Sequence, residues 1–253
     1  MYLKILDPAR LLYKDYSFYI LLFLFLHNIS NYINKTFDTI FFLSQGSLYS
    51  ISFVFYYMDN NNGWWNKNKI IIKNNNFTSN SNLLIINLIN TFMGYIIYKF
   101  ILLNISQRNG LIHNNENIII IIKDFTIIFF IFDFFFYFFH RLMHCPLLYK
   151  KIHKLHHQIN ANIVLSANYM TRIDYILEII LPYWLALYLY NPCFMSSFIF
   201  SILGQINGAI THSGYNIKFL VNPKNHIEHH LYFTKNYGVG GPWDYIFNTN
   251  YKK

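Results

Sequence analysis

The sequence predicts an all-α integral-membrane protein with four transmembrane helices, a helical hairpin and a cytosolic cap rich in histidine. Three observations predict it. Hydrophobic residues fill 54% of the 253 positions and charged ones only 12%, too little charge for a water-soluble domain of this length. The apolar residues gather into runs close to the ~20 residues that a helix needs to cross a hydrocarbon core. Nine of the eleven histidines lie between His140 and His230, at spacings that recur. An AT-rich genome inflates Phe, Ile, Asn, Lys and Tyr whatever the fold, so the histidines are the cleaner signal.

Taken in order, the apolar runs cover about 16–34, 38–58, 83–103 and 118–139. Asp7 and Asp15 flank the first and no small-residue cleavage site follows it, so it reads as an anchor rather than a signal peptide. Between the second and third, residues 59–82 form an Asn-rich loop with Trp64, Trp65, Lys67, Lys69 and Lys73 and no clear period. Two further apolar stretches, 173–190 and 194–211, are separated by the turn-forming pair Asn191-Pro192 and predict the hairpin. Residues 1–117 thus read as membrane-anchor helices and 118–253 as a second unit, which carries the clustered histidines. Asn-x-Ser/Thr triplets at Asn28, Asn34, Asn76 and Asn104 carry no weight in so Asn-rich a chain.

Charge sets the orientation. With four alternating crossings and an out-and-back hairpin, all but Lys35, Lys99, Arg108 and Lys123 of the 20 basic residues fall on one side, which the positive-inside tendency makes cytosolic. The net charge of +9 therefore serves membrane orientation; nucleic-acid binding would need a basic stripe interleaved with stacking aromatics, and here the aromatics sit in apolar runs. The same topology puts Cys145 and Cys193 on opposite sides of the bilayer as free thiols.

All the clustered histidines then face the cytosol. His140 and His144 are four apart; His153, His156 and His157 form His-x-x-His-His; the same pattern returns at His226, His229 and His230, and His212 stands alone. On a helix, residues three and four apart share a face, so the first pattern projects two imidazoles together and the second three. Neutral imidazole suits Fe, Zn, Cu or Ni, and one ion rarely takes more than a few ligands, so nine histidines point to a dimetal cap. His27, inside an apolar run, and His113, in a polar loop, read as ordinary residues.

These residues resemble a known family. The run Asp133 to His144, then His153-Lys-Leu-His156-His157, His212-Ser-Gly-Tyr215, His226-x-x-His229-His230, Asn236-Tyr237-Gly238 and Trp243-Asp244 look like the fatty acid hydroxylase superfamily, over about residues 125–250. That superfamily includes sterol C-5 desaturases, C-4 methylsterol oxidases, sphingolipid hydroxylases and alkylglycerol monooxygenase. The resemblance implies a di-iron centre on the cytosolic face of the endoplasmic reticulum, with the nine histidines as ligands and zinc as a possible substitute. It also implies O2 activation with electrons from NAD(P)H, delivered by a donor such as cytochrome b5, to hydroxylate or desaturate a lipid. Sterols come first as substrate, sphingolipids and ether lipids second. No His-Pro-Gly-Gly haem motif occurs, so the donor is expected to be a separate protein.

Membrane acyl-chain desaturases also carry three histidine boxes, but separate the first two by some tens of residues; here eight lie between His144 and His153. Two departures from the pattern stand out. Sterol-oxidising relatives often have Tyr-x-His-Pro-x-Glu after the second box, whereas this chain reads Tyr169-Met-Thr-Arg-Ile-Asp174, and the Gly-Thr that usually follows Trp-Asp-x-x-Phe is Asn248-Thr249.

Around the metal ligands, Asp133 lies two helical turns before His140 on the same face and is expected to orient a histidine, since an ionisable group in so apolar a run is functional by default. Trp243 and Asp244 are expected to support the centre. Glu228 points away from the imidazoles of its box. Asp174 and Glu178, four apart, either orient histidines or pair with Arg172. The phenylalanines of 129–139 read as packing or lipid-facing groups rather than as a channel lining. A non-catalytic metal-binding or metal-transport protein is the alternative, and it would line a path across the bilayer with histidines instead of gathering them on one side.

Overall fold

The computed structural model describes residues 37–70, 79–105, 117–240 and 242–251. The apolar run at 16–34, His27 and His113 lie outside these residues. Among the described residues the fold is all-helical, and the one extended pairing is an isolated antiparallel bridge between Lys69 and Tyr215.

Six longer helices build it: α1 (Phe37–Asn60), α2 (Asn80–Ile105), α3 (Ile118–Met143), α4 (Arg172–Tyr190), α5 (Phe194–Ser213) and α6 (Lys224–Tyr232). A short helix, α7, follows at Trp243–Ile246. Four helices are long and apolar enough to cross a membrane: Asp38–Asn60 of α1, Asn80–Phe100 of α2, and all of α4 and α5. The expected set differs at one place. Helix α3 forms as expected, but it carries Lys123, Asp124, Asp133 and Arg141 and is not one of the four, whereas both arms of the hairpin are. Asn191 turns the hairpin in the left-handed region at φ 55°, a conformation asparagine tolerates better than most residues.

Helix α5 is the central post. Phe194, Phe198, Ile199, Ile202, Ile206 and Ile210 are buried along it, against Ile40, Leu48 and Phe55 of α1. The outer helices leave large apolar groups uncovered, among them Phe53 on α1 and Phe92 and Phe100 on α2, which is costly in water and natural against lipid tails.

Polar ties fix the two ends. At one end, buried Asp124 of α3 accepts from the Tyr190 hydroxyl and the Cys193 backbone N–H, both at 2.8 Å, and so clamps the hairpin turn. At the other end, Asn87 and Asn90 of α2 donate to the carbonyls of Leu165, Asn168 and Met170. Lys69 there joins the Asp59 carboxylate at 2.6 Å to the Ser213 carbonyl at 2.7 Å. This second end also receives the last turn of α3 and the first turn of α4, and there the histidines collect. Cys193 is buried at the first end and Cys145 exposed at the second, both free.

Candidate metal centre

Helix α3 ends on the first pair of histidines, with His140 and His144 one turn apart. The chain then turns at Pro146 and enters a π-helical turn, Tyr149–His153, followed by a 3-10 turn, His156–Gln158, which carry the second box. His212 lies in the last turn of α5. Helix α6 starts directly after Pro223, whose fixed φ suits a helix entry, and presents His226, His229 and His230.

The nine histidines sort into two adjacent groups. His140, His144, His153, His157 and His229 form one, and His156, His212, His226 and His230 the other; in each, ligand atoms lie within 4.8 Å of one another. The expectation that each His-x-x-His-His box projects its three imidazoles together is corrected here. The pairs four apart, His153 with His157 and His226 with His230, stay together, while His156 and His229 cross to the opposite group. The second box winds as π and 3-10 turns rather than regular α-helix, and in α6 neighbouring residues are rotated by about 100°.

Spacing within the groups suits a bound cation. The Nε2 atoms of His144 and His229 are 3.1 Å apart, of His153 and His157 2.9 Å, of His212 and His226 3.0 Å, and of His226 and His230 3.1 Å. Two nitrogens each ~2.1 Å from one ion and at right angles stand about 3 Å apart. The outer ring nitrogens explain why these atoms converge. Nδ1 of His140 meets the Tyr237 carbonyl, that of His229 the Lys235 carbonyl and that of His230 the Ile159 carbonyl, each at 2.7 Å, and that of His212 the Gly208 carbonyl at 2.9 Å. A carbonyl only accepts, so each of these four rings carries its proton on Nδ1 and turns a bare Nε2 lone pair inward. His226 faces two such lone pairs with a single Nε2, which can donate to only one, and the His140 Nε2 is buried with no partner at all. A cation resolves both problems, so the residues fit a metal pair.

Burial and crowding keep the imidazoles uncharged, as metal ligation requires. Loss of solvent, followed by neighbouring imidazoles, pushes His144 down to about 2, and loss of solvent pulls His229 down to about 3. His156, His157, His226 and His230 are held well below the usual histidine range for the same reasons.

Carboxylates brace the larger group. Asp174, fully buried, meets His153 Nδ1 through both oxygens, at 2.9 and 3.0 Å. Glu178, in the π turn Ile176–Ile180 of α4, lies 3.7 Å from His140 Nδ1 and 3.8 Å from His153 Nδ1. Of the two readings open for this pair, Asp174 realises histidine orientation, while Glu178 stays beyond hydrogen-bond distance of either ring. Nothing in the spacing of the two carboxylates marks Asp174 as the closer partner. Glu228 turns outward to Lys224 at 3.5 Å. Thr171 caps the start of α4 and donates to the Ile152 carbonyl.

Asp133 acts one step removed from where it was expected. Its Oδ1 accepts from Val239 N–H at 2.9 Å, while Asp244 accepts from Tyr237 N–H at 2.9 Å and Gly238 N–H at 2.7 Å. Together they clamp the loop whose Tyr237 carbonyl holds His140. A Cβ on Gly238 would meet Asp244 at 3.0 Å and Asp133 at 3.1 Å, so glycine is what lets both carboxylates reach this loop. Thr249 donates to Asp244 at 2.7 Å and lies 3.0 Å from the Tyr137 hydroxyl, which locks the clamp to α3. Trp243 packs on Phe134, ring centroids 4.9 Å apart, and supports the clamp by contact alone, its indole N–H having no partner.

The family model for fatty acid hydroxylases matches residues 125–249, the stretch that carries every histidine of both groups. This segment belongs to the fatty acid hydroxylase family. The fatty acid hydroxylase domain is 38% identical over 116 residues to fatty acid hydroxylase domain-containing protein 2 of Homo sapiens, covering 44% of this chain and 33% of that protein. Fatty acid hydroxylase ahd1 of Mycosarcoma maydis is 35% identical over 111 residues, 44% of this chain and 29% of that one. C-4 methylsterol oxidase erg25 of Schizosaccharomyces pombe is 27% identical over 138 residues, 49% of this chain and 46% of that one. The chain thus spans about a third of the length of the first two relatives. No solved structure matches.

Proposed function

We propose that this chain is a membrane-bound oxidoreductase that uses O2 and reducing equivalents to hydroxylate or desaturate a lipid, with the nine histidines holding two iron ions. The observation that carries this reading is the pair of adjacent histidine groups with inward-facing bare nitrogens, inside a fatty acid hydroxylase domain. A redox-active metal pair supplies oxygen activation when bound. Hydroxylation inserts one oxygen atom into a C–H bond and forms one water; desaturation removes two hydrogens from adjacent carbons and forms two. Either takes two electrons and two protons, which a separate donor such as cytochrome b5 would relay from NAD(P)H.

The protein's own part is to position and to exclude water. Asp174, the Tyr237 and Lys235 carbonyls and the Asp133/Asp244 clamp fix the rings of the larger group. A cavity of about 890 Å³ reaches the smaller group, where His156, His212 and His226 form part of its wall. Phe129, Phe132 and Phe136 line the same cavity, which supports a channel role for one face of the aromatic run, while Phe130 and Phe138 on the other side are exposed. A lipid tail in this space places a C–H bond beside the histidines and away from water.

Sterols are the leading substrates, since C-4 methylsterol oxidase is among the relatives; sphingolipids and ether lipids follow. The basic residues support a cytosolic histidine end, in a membrane of the endoplasmic reticulum, with residues 1–117 as anchor and 118–253 as the catalytic unit. The test combines metal analysis of the purified chain with lipid profiling of cells that carry or lack it. Two irons per chain and an oxygen-dependent lipid product lost in His156→Ala are expected. Metal transport that persists in that variant, with no lipid change, would contradict the reading.

A further inference from the structure

The two histidine groups meet their surroundings by different routes. His156, His212 and His226 of the smaller group line the cavity, whereas none of the five rings of the larger group does. Of those five, only His144 is partly exposed. Two aromatic rings lie over it. Tyr149, in the π turn, has its ring centroid 5.6 Å from that of His144, 5.8 Å from His157 and 6.3 Å from His153. Phe233, directly after α6, lies 5.0 Å from His157 and 6.4 Å from His144, and the two aromatic rings meet edge to face at 5.7 Å. Phe233 is 37% exposed and Tyr149 half-buried, so the pair forms an outer layer over three of the five imidazoles.

Phe233 holds its place in a strained backbone. It ends α6 in the left-handed region, at φ 61° and ψ −15°, where glycine is the usual residue and a bulky side chain is an outlier. Among the described residues, the other non-glycine positions with positive φ are Ala161, Asn191, Asn236 and Asn248, all smaller. The turn is pinned on both sides: the Phe233 N–H donates to the His229 carbonyl at 2.8 Å, and the Tyr237 hydroxyl donates to the Phe233 carbonyl at 3.1 Å. Tyr237 is also the residue whose carbonyl holds His140. Glycine would make the same turn without strain, so the turn alone does not account for a phenyl ring there. Strain of this kind persists where its surroundings over-determine it, and it gathers at functional sites. We propose that Phe233 and Tyr149 form a cover that governs how fast a divalent cation enters and leaves the larger group, by a path separate from the lipid cavity. Apolar rings over His144 and His157 keep water and competing ligands from the imidazoles, so exchange of an ion requires the rings to swing aside. The inference rests on the metal reading of the histidines and adds that the two groups are loaded by separate routes.

The test loads the full chain in detergent micelles with Co2+ and follows its release to an excess of the coloured chelator pyridylazoresorcinol. Release is expected in two phases, the slower from the covered group. Phe233→Gly should speed the slow phase by about tenfold or more, the effect of losing the packing of one partly buried ring, and leave the fast phase unchanged. Phe233→Tyr, which restores a ring of the same shape, should keep the slow rate. Tyr149→Ala removes the other ring from an unstrained position; it should act in the same direction, and it serves if the glycine variant does not fold. A slow phase unmoved in both variants, or an acceleration shared by both phases as general loosening would give, overturns the cover while leaving the metal reading intact. A wild-type chain that takes up no Co2+ sinks the metal reading, and the cover with it.

Discussion

The two histidine groups touch, yet they are built differently. The larger group is packed behind the protein: a carboxylate holds His153, a second lies near His140 and His153, and none of its five rings lines the cavity. The smaller group has no carboxylate on its rings; His212 and His230 lean on backbone carbonyls, and three of its four members face the cavity. Negative charge near a ligating imidazole strengthens the ligand and stabilises a higher metal charge, whereas carbonyl-held rings leave an ion more electrophilic. On the proposed function, the contrast would give the larger group the task of holding metal firmly and the smaller that of meeting the substrate.

Removing one ligand from each group tests the contrast most severely. His153→Ala and His226→Ala should each reduce product at least a hundredfold; elemental analysis should show metal lost from both sites in the first and mainly from one in the second. Equal metal loss in both variants would break the distinction. Next in size is the carboxylate asymmetry. Asp174→Asn should weaken metal binding at the larger group about 10–100-fold, read by chelator competition, because the amide supplies a weaker partner for His153. No single side-chain change outside the ligands of the smaller group should match it.

A third prediction concerns acid. The apo protein holds its buried imidazoles neutral, while the unfolded chain binds protons near pH 6.5, so below that value unfolding takes up protons and stability falls with pH. The loss should begin near pH 6.5 and continue toward the folded values of about 3 for His229 and about 2 for His144, as seen in thermal unfolding of metal-free protein across pH. Loaded protein should resist to lower pH, since metal competes with protons for the same nitrogens. A flat profile would mean that the imidazoles are not shielded as described. A smaller effect is expected at the clamp. Asp244→Asn keeps the shape but turns one of the two accepting oxygens into an NH2 that cannot accept from the Tyr237 or Gly238 N–H group, and should lower stability by about 1–2 kcal/mol. Metal loss should then be confined to the group containing His140.

Much of this was legible in the chain. The apolar runs after residue 37, the Asn191-Pro192 turn and the histidine spacing mark the described helices and the clustering of the histidines directly, because membrane length and helical spacing both impose strict patterns. The split of each box between two sites was not legible, since it depends on π and 3-10 turns at Tyr149–His153 and His156–Gln158 that no apolar period announces. Its helical face predicts that Asp133 orients a histidine directly, but Asp133 accepts from a backbone N–H more than a hundred residues away, which a helical-face argument cannot find.

His156 and His157 are neighbours in the chain, as are His229 and His230, and in each pair one ring serves one group and the next ring the other. Fixing the first member therefore fixes the peptide plane from which the second departs. A half-filled state would already have borne part of the ordering cost of the empty half. Titrated with metal, the chain should fill the larger group first, and the filled group should make the smaller one easier to load than it would be alone.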